Sequence, residues 1–113
     1  MDYHESLEKM SPKTQDIARA LNSLKEEIEA VNWYNQRVEA ATDEEIKEIM
    51  AHNRDEEIEH ACMSLEWLRR NMDGWDKELR TYLFKKGKIT ELEEGGGDSE
   101  EDDNSSLKIG DLK

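Results

Sequence analysis

Ile17, Leu21, Leu24, Ile28, Val31 and Val38 recur at spacings of three, four and seven residues. That is the period of one apolar face on an α-helix. Ser11 and Pro12 supply its start, serine as N-cap and proline at the first helical position, where a missing N–H costs nothing. One amphipathic helix is therefore expected over about residues 12–40, behind an N-terminal segment, 1–11, that carries no firm signal. "ATDEE" (41–45) offers a second start. Thr42 can cap there, and Glu45 three residues on completes a capping box. So short a connection predicts that the second helix runs back antiparallel to the first. Ile46, Met50, Ala61, Leu65 and Leu68 carry its apolar stripe to about Asn71. "DG" at 73–74 marks a break. Trp75, Leu79, Tyr82 and Leu83 then repeat at helical spacing, Gly87 after two lysines reads as a stop, and "KITELEE" adds one further short helix. The expected fold is all-α: an antiparallel two-helix hairpin followed by a short C-terminal helix, together spanning 12–94.

At Gly95 the pattern ends. "GGGDSEEDDNSS" (95–106) is a run of glycine, serine and acids that cannot form a core, and it reads as a self-repelling flexible linker. "LKIGDLK" (107–113) follows, apolar again at Leu107, Ile109 and Leu112.

Composition changes this picture in two ways. Apolar residues make up 35% of only 113, few for a self-sufficient core in a small chain, which points to an oligomer. The net charge is −13 and 40% of residues are charged, against about 25% in an average soluble domain. Such acidity argues against nucleic-acid partners, which need basic patches, and suits cations. Most of these acids read as solvated surface. A single cysteine, Cys62, excludes an intrachain disulfide framework and reads as a small helix residue. No run of about 18 apolar residues is present, so no membrane span is expected. "MDYHESLEKM" has no apolar signal region, and a cytoplasmic protein is expected.

Two carboxylates interrupt the apolar faces. At about 100° per residue, Met50, Leu68 and Ile46 lie within about 20° of Glu57 on the second helix, and His60 flanks it. On the first helix Glu27 and Tyr34 point the same way, at the edge of the arc formed by Ala20, Leu24, Val31 and Val38. A buried carboxylate costs several kcal/mol unless compensated by a basic group, by protonation or by a metal. Arg54, about 60° from Glu57, is the simple compensator. The metal reading draws on more residues. Di-iron carboxylate bundles take one Glu from each of two helices and Glu-x-x-His from each of the other two. This chain offers half of that set, Glu27 and Glu57-x-x-His60. Two copies related by a two-fold axis would supply the whole and would build a four-helix bundle from two hairpins. Oxygen-rich ligands with one nitrogen per metal suit iron or manganese better than zinc. Glu26, Glu29, Trp33 and Arg37 form a separate stripe facing away from the core and read as solvated surface.

At these residues the sequence resembles the encapsulated ferritins. The likeness spans about 15–94 and rests on "EEIEAVNWYNQR" (26–37), "HNRDEEIEHACMSLEWLRRN" (52–71) and "RTYLF" (80–84). The resemblance implies a ferritin-like protein reduced to two main helices per chain. It implies homodimers with a di-iron ferroxidase centre between chains, five of them forming a ring-shaped homodecamer. By position, Glu27, Glu57 and His60 would be iron ligands, with Tyr34 beside them. Glu26 and Glu29, with Trp33 nearby, would match the family's outer metal-uptake site, able to take calcium or another divalent cation. The family works inside an encapsulin nanocompartment. "SLKIGDLK" is similar to encapsulin-loading peptides, through Leu107, Ile109, Gly110 and Leu112. The expected function is oxidation of Fe²⁺ to Fe³⁺ for mineral storage in that shell. The rival readings are a non-enzymatic helical cargo or adaptor protein and another di-metal carboxylate enzyme such as a peroxidase.

Overall fold

The computed structural model describes residues 3–94. The linker and the candidate loading peptide, with Leu107, Ile109, Gly110 and Leu112, lie outside the described residues. Among those described the architecture is helical: α1 Pro12–Ala40, α2 Glu44–Asn71 and α3 Trp75–Tyr82, with 3₁₀ turns at Leu7–Lys9 and Ile89–Glu94. The chain divides into two compact units, one running to Met72 and the other starting at Asp73.

In the first unit, Ser11 caps α1 as the sequence predicts, its side chain accepting from the Thr14 N–H at 3.1 Å, with Pro12 opening the helix. The short turn ahead of it is tied down by Gln15, whose amide donates to the Met10 carbonyl at 3.1 Å and to that of Leu7 at 3.4 Å. The cap of α2 departs from expectation. Asp43, not Thr42, is the N-cap, and its carboxylate accepts from the Ile46 N–H at 2.9 Å. A carboxylate at a helix N-terminus meets both an orphan donor and the positive end of the helix dipole, an advantage a hydroxyl lacks.

Two cross-helix hydrogen bonds define the hairpin. Arg54 Nη1 donates to Asn35 Oδ1 at 3.0 Å, and Ser64 Oγ donates to Glu27 Oε1 at 2.9 Å. As residue number rises along α2 it falls along α1, so the helices are antiparallel. Burial is sparse. α1 has no buried residue and α2 buries Leu68, which is 0% exposed. Ile28 (56%), Ile46, Ile49, Ile58 and Met63 remain exposed. Two helices cover only one side of each other, and both stripes here are wider than that contact.

In the second unit, Gly74 precedes α3 at φ 102°, a conformation that glycine adopts without strain, which accounts for the break read from "DG". α3 ends sooner than Gly87 suggests. Its last residue is Tyr82, the Leu83 N–H bonds the Leu79 carbonyl, and Phe84, 97% exposed, turns the chain at φ 60°. Gly87 serves the following turn instead, at φ 97°. The helix expected from "KITELEE" is the 3₁₀ turn, where Leu92 is buried. Burial, and then the charges of Glu93 and Glu78, push the Tyr82 hydroxyl above its ordinary pKa.

Candidate metal site

Glu57 and His60 lie on adjacent turns of α2, and a spacing of three residues puts them on one face. Glu57 Oε1 stands 3.5 Å from His60 Nδ1, and the Glu57 side chain keeps 27% of its exposure. The other imidazole nitrogen, Nε2, lies 3.9 Å from Glu56 Oε1, and the second oxygen of Glu56 is 3.7 Å from His52 Nε2. His60 thus stands between two carboxylates.

Arg54 does not compensate Glu57. Its guanidinium donates to Asp55 Oδ1 at 3.1 Å and to Asn35 Oδ1 at 3.0 Å. Asp55 is the next residue along α2 and Asn35 belongs to α1, so the Arg54 guanidinium bridges these two. Among the described residues the ion-pair partner of Glu57 is His60, whose charge depends on protonation.

Glu27 reaches α2 from the opposite helix. Its Oε1 accepts the Ser64 hydroxyl in a part-buried bond. The Ser64 level is one turn beyond His60 and two turns beyond Glu57, a rise of about 10 Å from Glu57. Consistent with that offset, no group of three or more His, Cys, Asp or Glu able to hold a metal comes together within one chain among the described residues. Tyr34 is half-buried, with the Arg37 guanidinium 5.3 Å above its ring, a cation–π distance.

Glu26, Glu29 and Trp33 are exposed on α1, as their separate stripe predicts. Trp33 also lines a shallow depression of about 440 Å³ with Gln36, Arg37 and Ala40. Cys62 is exposed, and no helix among the described residues is long and apolar enough to cross a membrane. Ser64 is the contributor that sequence reasoning missed. Its spacing from His60 and Glu57, four and seven residues, would have placed it on their face.

The chain is similar to known proteins along most of its length. The family model described as EncFtn-like matches residues 2–86. A ferritin-like protein of Thermotoga maritima is 57% identical over 107 residues, covering 95% of this chain and 94% of the relative. An encapsulated ferritin-like protein of Rhodospirillum rubrum is 52% identical over 121 residues, covering 97% of this chain and 86% of the relative. Among solved structures, a protein of Nitrosomonas europaea superposes with a TM-score of 0.75 at 55% identity, over 77% of this chain and 97% of its own.

Proposed function

The chain belongs to the EncFtn-like family, and from that premise we propose that it is a ferroxidase whose iron site is shared by two copies. Membership itself supports a ferritin-like, iron-handling role. The observation that carries the finer reading is the Glu57–His60 pair: a half-buried carboxylate with an imidazole as its ion-pair partner, on a hairpin whose facing helix presents Glu27. One copy offers two carboxylates and one imidazole, half of the di-iron carboxylate set. A second copy about a two-fold axis doubles it, and covers the apolar residues that the hairpin leaves exposed.

In this reading Fe²⁺ is the substrate. Paired Glu27, Glu57 and His60 hold two ions, and the anionic oxygens favour the ferric product. Each Fe²⁺ gives up one electron. The two electrons and two protons convert O₂ to H₂O₂ or, with peroxide as oxidant, convert H₂O₂ to two waters. Tyr34 stands by as a neighbouring aromatic hydroxyl. Glu26 and Glu29, beside Trp33, offer incoming cations an exposed acidic approach, where calcium also fits the hard-oxygen chemistry. Five dimers would form the ring expected of the family. An open ring encloses no mineral, so Fe³⁺ would be stored in an encapsulin shell within the cytoplasm, reached through residues 107–113.

Aerobic Fe²⁺ oxidation, followed by ferric absorbance, tests the site. Glu57→Ala and His60→Ala are expected to fall to the buffer rate with helical content unchanged. Wild-type rates in both would overturn the site assignment, and a wild-type chain no faster than buffer would leave a non-enzymatic acidic cargo protein. Deleting 107–113 is expected to preserve oxidation and abolish co-purification with the shell. Persistent co-purification would place loading elsewhere.

A further inference from the structure

A serine inside an α-helix ordinarily returns its hydroxyl proton to the carbonyl one turn back, which weakens and bends the helix. Ser64 does otherwise. Its single proton goes across the hairpin to Glu27 Oε1 at 2.9 Å, in a part-buried bond. A hydrogen bond to an ionised carboxylate is stronger than a neutral one. It engages one oxygen of Glu27 and leaves Oε2 with its lone pairs available. The bond also fixes where that carboxylate lies along α2: one turn beyond His60, on the face that His60 and Glu57 share.

The geometry points to Ser64 as a positioning residue for Glu27, an anchor that sets how tightly the site binds Fe²⁺. This rests on the ferroxidase reading above. A glutamate side chain has several rotatable bonds, and unanchored on an exposed hairpin it samples solvent-facing rotamers that iron must then overcome. Held by Ser64, its carboxylate keeps one rotamer, ready to meet the ligands of a second copy when metal arrives. The role is separable from folding, because the Arg54–Asn35 bond holds the hairpin register independently, nearer the turn that joins the two helices. Alanine at position 64 also favours the helix more than serine does.

The effect belongs in affinity. Loss of a hydrogen-bonding partner behind a metal ligand typically weakens binding about 10–100-fold. The full-length chain is titrated anaerobically with Co²⁺, read by its visible ligand-field bands. The KM for Fe²⁺ is measured alongside in aerobic oxidation. Wild type, Ser64→Ala, Ser64→Thr and Glu27→Ala are compared. Ser64→Ala is expected to bind Co²⁺ about tenfold more weakly, with KM rising in step and kcat changing less. Ser64→Thr keeps the hydroxyl and is expected to stay within about twofold of wild type. Wild-type Co²⁺ affinity in Ser64→Ala, beside a clear loss in Glu27→Ala, would overturn the role of Ser64 and leave the site standing. Threonine as weak as alanine, with unfolding midpoints unchanged, would equally overturn it. If Glu27→Ala itself binds like wild type, the assignment of Glu27 fails instead.

Discussion

Glu57 and Glu66 stand nine residues apart on α2, the same side chain on the same helix. Their surroundings treat them in opposite ways. Glu66 is saturated: Arg69 Nε and Nη2 each donate to it at 2.8 Å, and Arg70 Nε at 2.7 Å. Those hydrogen bonds, from Arg69 first and then Arg70, hold its carboxyl down at about 2, against an ordinary value of 4.5. The arginines fall in the last turn of α2, where the helix dipole favours cations. Glu57 has an arginine one turn before it, yet Arg54 turns to Asn35 and Asp55. Its partner is an imidazole 3.5 Å away. One carboxylate is consumed by the chain's own guanidiniums, and the other, on the ferroxidase reading proposed above, is left for a cation from outside. The difference lies in where the neighbouring guanidiniums point, a property of three-dimensional packing and not of residue type.

The largest effect expected from this contrast is in catalysis. Glu57→Gln should lower aerobic Fe²⁺ oxidation about a hundredfold or more, since loss of a ligand outweighs loss of a group behind one. Glu66→Gln should stay near the wild-type rate in the same assay. Equal losses in both variants would mean that acidity, and not placement, matters.

Next in size is stabilisation by metal. Mn²⁺ at about 100 times its Kd should raise the unfolding free energy by about 2.7 kcal/mol at fixed chain concentration. Wild type and Glu66→Gln should gain this and Glu57→Gln should not, as read by thermal or urea unfolding. Arg54→Gln sharpens the point with a smaller effect. If Arg54 serves the hairpin register and not Glu57, the variant loses about 1 kcal/mol of stability, as for a typical hydrogen bond. Its Fe²⁺ affinity should hold.

The smallest effect is the acid response of Glu66. Its folded pKa lies below the unfolded value, so its contribution is fully present above about 4.5 and is lost as pH falls through about 2. The side chain is 42% exposed, so the contribution is modest and fades with salt. The gap in unfolding midpoint between wild type and Glu66→Gln should close as pH drops through that window. A gap that persists below it would point to packing.

The contrast also marks what the sequence discloses. Hydrophobic period locates α1, α2 and α3, and local chemistry gives Ser11 with Pro12 and the turn at Gly74, because these depend on neighbours in sequence. The cap at Asp43 and the early end of α3 at Tyr82 were misplaced by one and five residues, since adjacent Thr42 and Asp43 both qualify as caps and Gly87 is a plausible stop in the wrong turn. The Glu57-x-x-His60 pair was legible from its spacing. The partners of Arg54 and the bond from Ser64 to Glu27 were not, because both depend on the register between two helices, which the apolar period alone leaves undetermined.

The most direct test of the central claim, that Glu57 is kept open for iron shared between two chains, is anaerobic sedimentation with Fe²⁺, recording mass and bound iron together. The wild-type chain is expected to carry iron as a dimer or a multiple of it, at one tightly held Fe²⁺ per chain, and Glu57→Ala is expected to lose that iron. A monomer that binds and oxidises Fe²⁺ at the wild-type rate, or a Glu57→Ala protein that holds iron as tightly as the wild type, would contradict it.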